Sequence, residues 1–149
     1  MIVECFEQIQ APAQLVFEVV HDYEKRLLWD PFLRRAEVLG EREPGEGVKT
    51  FCAVKYRLLA WGMTTQYVSF RSPRVAAVTM IDGPFFFQRF TASIRHRDLE
   101  NGFLDVFYKL NFNLKGFLGR RPLEKMIAWL LLWEAKKRLC FLKKYIEGS

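Results

Sequence analysis

Apolar and polar residues alternate from Ile2 to Gln10, a period of two that predicts a strand with one buried face. Ala11-Pro12 then opens a helix, with proline early, where its missing N–H costs nothing. Leu15, Val16, Val19 and Val20 supply an apolar stripe for that helix. Tyr23 to Trp29 predicts a second short helix, stopped ahead of Pro31. A meander follows: strands over Ala36 to Gly40, Val48 to Leu58, Met63 to Phe70 and Val75 to Ile81. Their punctuation is the Glu43-Pro-Gly-Glu-Gly turn, a hairpin near Ala60 to Gly62, and Ser72-Pro73. Phe85 to Arg95 and Phe103 to Leu114 form a last pair, joined by Glu100-Asn101-Gly102. From Pro122 to Glu147 the period becomes helical, with Ala128, Leu132, Ala135, Leu139, Leu142 and Ile146 on one stripe.

The order is strand, two helices, six strands, long helix, which predicts an α+β domain spanning residues 1–149. A long helix with one apolar face needs a broad surface to cover, and the antiparallel sheet is the candidate.

The stretch IDGPFFFQRFTASI sharpens this picture. Three consecutive phenylalanines on a strand cannot share one face. The register expected here points Phe86, Gln88, Phe90, Ala92 and Ile94 toward the helix, and Phe85, Phe87, Arg89 and Thr91 to the convex side. The next strand is also two-faced, with Phe103, Asp105 and Phe107 opposite Leu104, Val106, Tyr108 and Leu110. A convex surface this apolar suggests self-association.

Composition adds bounds. Of 149 residues, 50% are hydrophobic and 27% charged, a globular balance. The 14 phenylalanines suit pocket walls as well as core. A net charge of +6 permits an anionic partner, but the basic residues are dispersed apart from Lys136-Lys137-Arg138 and Lys143-Lys144. They read as a solvated helix face, and no nucleic-acid motif accompanies them. Cys5, Cys52 and Cys140 form neither a metal pattern nor a disulfide framework. The opening MIVECFEQIQ lacks signal-peptide organisation, and the apolar run from Met126 to Trp133 is too short to span a bilayer. The expectation is a soluble protein of a reducing cytoplasm.

Several motifs resemble one superfamily. They are AP-x-x-x-VF-x-VV-x-D-Y from Ala11 to Tyr23, WDPF at Trp29 to Phe32, Gly-Pro-Phe before a long strand, and Leu139-x-x-Leu-Lys-x-Tyr-Ile-Glu at the end. In this order, over nearly the whole chain, they resemble the START-like (helix-grip) superfamily. It includes the birch pollen allergen, polyketide cyclase/dehydrase proteins and coenzyme Q-binding proteins. The resemblance implies a curved antiparallel sheet of about seven strands gripping the last helix, with a cavity for a hydrophobic ligand. It implies no single reaction.

Candidate site residues follow from the register and the resemblance together. Trp29, Phe32, Tyr56, Tyr67, Phe86, Phe90, Ala92, Phe107 and Leu132 are the expected walls, and Gln88, Asp105 and Lys109 the polar anchors. Asp105 is the sharpest candidate for chemistry, since a buried carboxylate needs a partner and Lys109 shares its face. His21 reads as a cap at a helix end, and His96 as solvated among Arg95, Arg97 and Asp98. Glu134 precedes Arg138 by four residues and reads as a flank pair. Phe90 and Ala92 stand where the aromatase branch carries polar groups, which favours carriage of a lipid, polyketide or quinone-like molecule over polyketide cyclisation. No metal and no cofactor is expected. Leu130, Leu131 and Trp133 lie off the stripe. Loops or a homodimer are the favoured cover, with a membrane, drawn by Arg120, Arg121 and Lys125, the lesser alternative.

Overall fold

The computed structural model describes residues 1–55, 62–116 and 121–148. Strand β1 is Ile2–Ile9, followed by helices α1, Ala13–Val20, and α2, Arg26–Trp29. Strands β2 (Leu33–Val38), β3 (Lys49–Val54), β4 (Gly62–Arg71), β5 (Val75–Asp82), β6 (Phe87–Asp98) and β7 (Leu104–Leu114) come next, then helix α3, Arg121–Glu147. The strands form one antiparallel sheet in the order β1-β7-β6-β5-β4-β3-β2. Long β6 and β7 lie side by side within it, and α3 crosses the concave face beside β1 and β7. This is the helix-grip architecture.

Local chemistry accounts for most boundaries. Pro12 caps α1 in extended conformation, so the helix starts one residue later than its proline. Its buried face is therefore Ala13, Val16, Phe17 and Val20, while Leu15, expected on the stripe, is exposed. Asn101 (φ 64°) and Gly102 (φ 77°) adopt left-handed conformations between β6 and β7. Two consecutive positive φ values suit Asn-Gly and reverse the chain tightly. Strand β2 starts earlier than expected because Leu33 already pairs with Val54. The expected end of the third strand, at Leu58, and most of the following hairpin lie outside the described residues.

One irregularity changes the sequence-derived register. β6 pairs with β7 through Phe87↔Leu114 and then Arg89↔Asn113, a bulge of one residue. The bulge turns Phe87 inward, where it is buried against Phe112 and Leu114, and leaves Gln88 exposed. Beyond it the alternation is regular: Phe90, Ala92 and Ile94 face α3, opposite Phe112, Leu110 and Tyr108.

Two apolar clusters hold the grip. One joins α1, β1 and the end of α3 through Ile9, Val16, Phe17, Leu104, Val106, Leu139, Leu142 and Ile146. The other joins the start of α3 to β7 through Ala128, Ala135, Leu110, Phe112 and Leu114.

Candidate functional site

Because the sheet curls around α3, space is left between helix and strands. The resulting cavity has a volume of about 560 Å³. Its walls are mostly apolar: Phe86, Phe87, Phe90, Ala92 and Ile94 from the β6 region, Val78 and Ala76 from β5, and Ile127, Leu131, Leu139 and Leu142 from α3.

One end is polar, and its charges are mutually engaged. Asp30 is almost wholly buried and lies 3.1 Å from Arg26 and 3.2 Å from Arg138. It also accepts the Phe32 backbone N–H at 3.1 Å. Arg138 reaches Glu134, one turn earlier on α3, at 2.6 Å. Burial alone would raise the Asp30 pKa, but the two guanidiniums, then the Phe32 and Arg26 hydrogen bonds, hold it below the usual carboxylate value. Burial opposes the charge of Arg138, yet Glu134 and Asp30 raise its pKa further. Two cations and two anions thus balance at the polar end.

A chain of neutral groups lies beside them. His21 Nδ1 is 2.8 Å from the Tyr67 hydroxyl, which is 2.8 Å from the Tyr23 hydroxyl. Burial, helped by Arg26 and His96, lowers the His21 pKa to about 3. Burial raises the Tyr23, Tyr67, Tyr108 and Cys52 pKa values. Thr50 and Thr65 share a hydroxyl–hydroxyl contact of 2.9 Å on the same wall. His21 and Tyr23 also border a more open, acid-rimmed hollow outside, so the relay forms a partition.

Of the expected walls, Trp29, Tyr67, Phe86, Phe90 and Ala92 line the cavity. Tyr56 lies outside the described residues. Phe32 is buried behind the lining, edge-on to Trp133 at 5.5 Å and beneath the Arg138 guanidinium. Leu132 packs into the Ala128–Ala135 cluster rather than the cavity.

The expected polar anchors fall on the other side of the sheet. Tyr108 and Leu110 line the cavity, so Asp105, Phe107 and Lys109, on odd positions of the same strand, face outward. Asp105 pairs with exposed Arg97 at 3.0 Å, Lys109 lies 3.7 Å from Glu4, and Phe107 packs on Phe6 at 5.9 Å. Gln88 is turned out by the bulge. Phe85 and Phe87, expected on the convex side, both line the cavity.

The histidines also differ from expectation. His21 does cap the C-terminus of α1, its backbone N–H reaching the Phe17 carbonyl, but its ring is a wall residue and not a surface group. His96, expected in solvent, is buried against Phe17, and burial lowers its pKa to about 4. The Glu134–Arg138 pair exists, but it lines the cavity instead of a flank. Sequence reasoning missed Arg26, Asp30, Tyr23 and Tyr108. The available signal was spacing, because Arg26–Asp30 and Glu134–Arg138 both stand at i,i+4.

Comparison with known proteins agrees with this architecture. A family model described as "Polyketide cyclase / dehydrase and lipid transport" matches residues 3–147. Among solved structures, an aromatase/cyclase from Streptomyces sp. R1128 is 18% identical with a TM-score of 0.83, over 99% of this chain and 93% of that one. A protein from Thermus thermophilus is 15% identical with a TM-score of 0.82, covering 99% and 98%. A START superfamily protein from Mycobacterium smegmatis is 16% identical with a TM-score of 0.80, covering 97% and 98%. No curated protein matches the sequence.

Proposed function

The chain belongs to the polyketide cyclase/dehydrase and lipid transport family, and from that premise we propose that it binds and carries one hydrophobic small molecule in the cavity between sheet and α3. The observation that carries this reading is the cavity itself: about 560 Å³, apolar over most of its wall, with a polar end whose charges cancel. That size falls within the range of small-molecule sites. Among the described residues this balanced end offers no spare cation to a carboxylate or phosphate, so the favoured ligand is neutral. Hydroxyls of Tyr23, Tyr67, Thr50 and Thr65 suit oxygen functions such as the carbonyls of a lipid, polyketide or quinone-like molecule.

Carriage is favoured over cyclisation by the same groups. A general acid or base works best with a pKa near the operating pH. His21 is far below neutrality, and the lining tyrosines and Cys52 are raised by burial. These groups can hold an oxygen but are poorly poised to move a proton.

The test is titration with an environment-sensitive apolar dye. The native chain is expected to bind with a one-to-one limit. Ala92→Trp, which fills the cavity from β6, is expected to fold and lose that binding. Full dye binding by a folded Ala92→Trp chain would contradict the reading. Turnover of a poly-β-keto substrate would instead favour the cyclase.

A further inference from the structure

Helix α3 has three faces. At 3.6 residues per turn, Ala128, Ala135, Leu139, Leu142 and Ile146 fall on one side and pack on the sheet, while Ile127, Leu131, Glu134 and Arg138 fall beside them and line the cavity. The third face is turned largely outward, although Met126 also borders the cavity and Trp133 packs edge-on against Phe32. That face carries Met126 (59% exposed), Trp129 (66%) and Trp133 (40%), at i, i+3 and i+7. Exposed Lys125, Lys136 and Lys137 flank them on the helix. The acidic residues of α3 are engaged elsewhere: Glu124 near the Met1 amine, Glu134 with Arg138, and Glu147 with the Gln10 backbone.

This face adjoins the mouth of the cavity. Met126 belongs to both, and Leu130 and Phe85 are likewise exposed while lining the cavity. A molecule leaving between Phe85 and Met126 would emerge beside the two tryptophans.

We propose that this face docks the protein peripherally on an anionic lipid surface, so that the ligand passes between bilayer and cavity without crossing water. The inference rests on the reading of the cavity as a ligand site. Three features select lipid as the occupant. Exposed tryptophans among apolar side chains suit the boundary between headgroups and acyl chains. The basic surround complements anionic headgroups. A second copy meeting this face symmetrically would oppose Lys125, Lys136 and Lys137 with their own counterparts, a like-charge arrangement that disfavours the homodimer. No described helix is long and apolar enough to cross a membrane, so the contact is superficial.

The experiment is flotation of the full chain with vesicles of phosphatidylcholine, alone or mixed with phosphatidylserine, at low and high salt. The native chain is expected to float with the mixed vesicles at low salt and to be released at high salt. Lys125→Gln, Lys136→Gln and Lys137→Gln combined should weaken partitioning on the order of 100-fold, and Trp129→Ala by about tenfold. All four positions are exposed, so native circular dichroism is expected in every variant. Equal binding to pure phosphatidylcholine, or flotation unmoved by salt, would overturn the proposal. A salt-stable dimer that shields Trp129 and ignores vesicles would also overturn it. The dye titration, made without vesicles, keeps the two claims apart. One-to-one dye uptake without flotation leaves the cavity and removes the docking. Salt-sensitive flotation that persists in Ala92→Trp and fails in the lysine variant upholds the docking, whatever the dye shows.

Discussion

Asp30 and Asp105 are both buried carboxylates paired with arginine, and they serve opposite ends of an energetic scale. Asp30 sits between two guanidiniums that have little access to water. Its removal leaves buried positive charge uncompensated, so Asp30→Ala is expected to destabilise the fold by about 3–5 kcal/mol. Asp105 faces the convex side, where its partner Arg97 is 66% exposed, and such pairs contribute at most about 1 kcal/mol. Asp105→Asn should therefore leave stability within about 1 kcal/mol and dye affinity within about tenfold. Urea denaturation and dye titration of both variants check the contrast, and a cavity that empties in Asp105→Asn would contradict it. The sequence could not separate the two. Alternation showed that Asp105 shares a face with Lys109 but carried no sign of which face was concave. Asp30 needed Arg138, 108 residues away, to become legible as the buried partner of the polar end.

At the scale of elements the sequence was more informative, because periodicity reports burial directly. The helical stripe of α3 was readable, and five of its six expected members are buried. The sixth, Leu132, is half-buried at the edge of the second cluster. Leu142 is fully buried where α3 meets the first cluster, so Leu142→Ala is expected to cost about 2–5 kcal/mol, measured as a lowered urea midpoint at unchanged slope. A loss under about 1 kcal/mol would mean that the helix is gripped elsewhere. The bulge at Phe87 and Gln88 was not readable. It inserts one residue into a strand of otherwise regular alternation, and three adjacent phenylalanines fit either phase equally well. This single slip inverted the assignments of Phe87 and Gln88.

For the molecule as a whole, two buried neutral histidines make folding proton-linked. His21 and His96 have native pKa values of about 3 and 4, against an ordinary value of 6.5. As pH falls below about 6.5 the unfolded chain takes up protons that the native chain refuses, so stability declines with acid. Two such protons give a slope approaching about 2.7 kcal/mol per pH unit between about pH 6 and 4. The Asp30 pKa is also held down, so its contribution is present at higher pH and fades only at the acid end, below the ordinary carboxylate range. Melting temperatures across this window should fall steeply, and His96→Phe should roughly halve the slope. A flat profile would mean that the histidines are open to water in the native state.

All of this surrounds a cavity whose proposed role is to hold a guest, and that claim can be tested on protein isolated from its own host. Native mass spectrometry under gentle ionisation is the direct measurement. The account predicts a fraction of the chain carrying one small apolar molecule, extractable into organic solvent and missing from Ala92→Trp prepared in parallel. A bare chain under the same conditions, or the same adduct on Ala92→Trp, would contradict it.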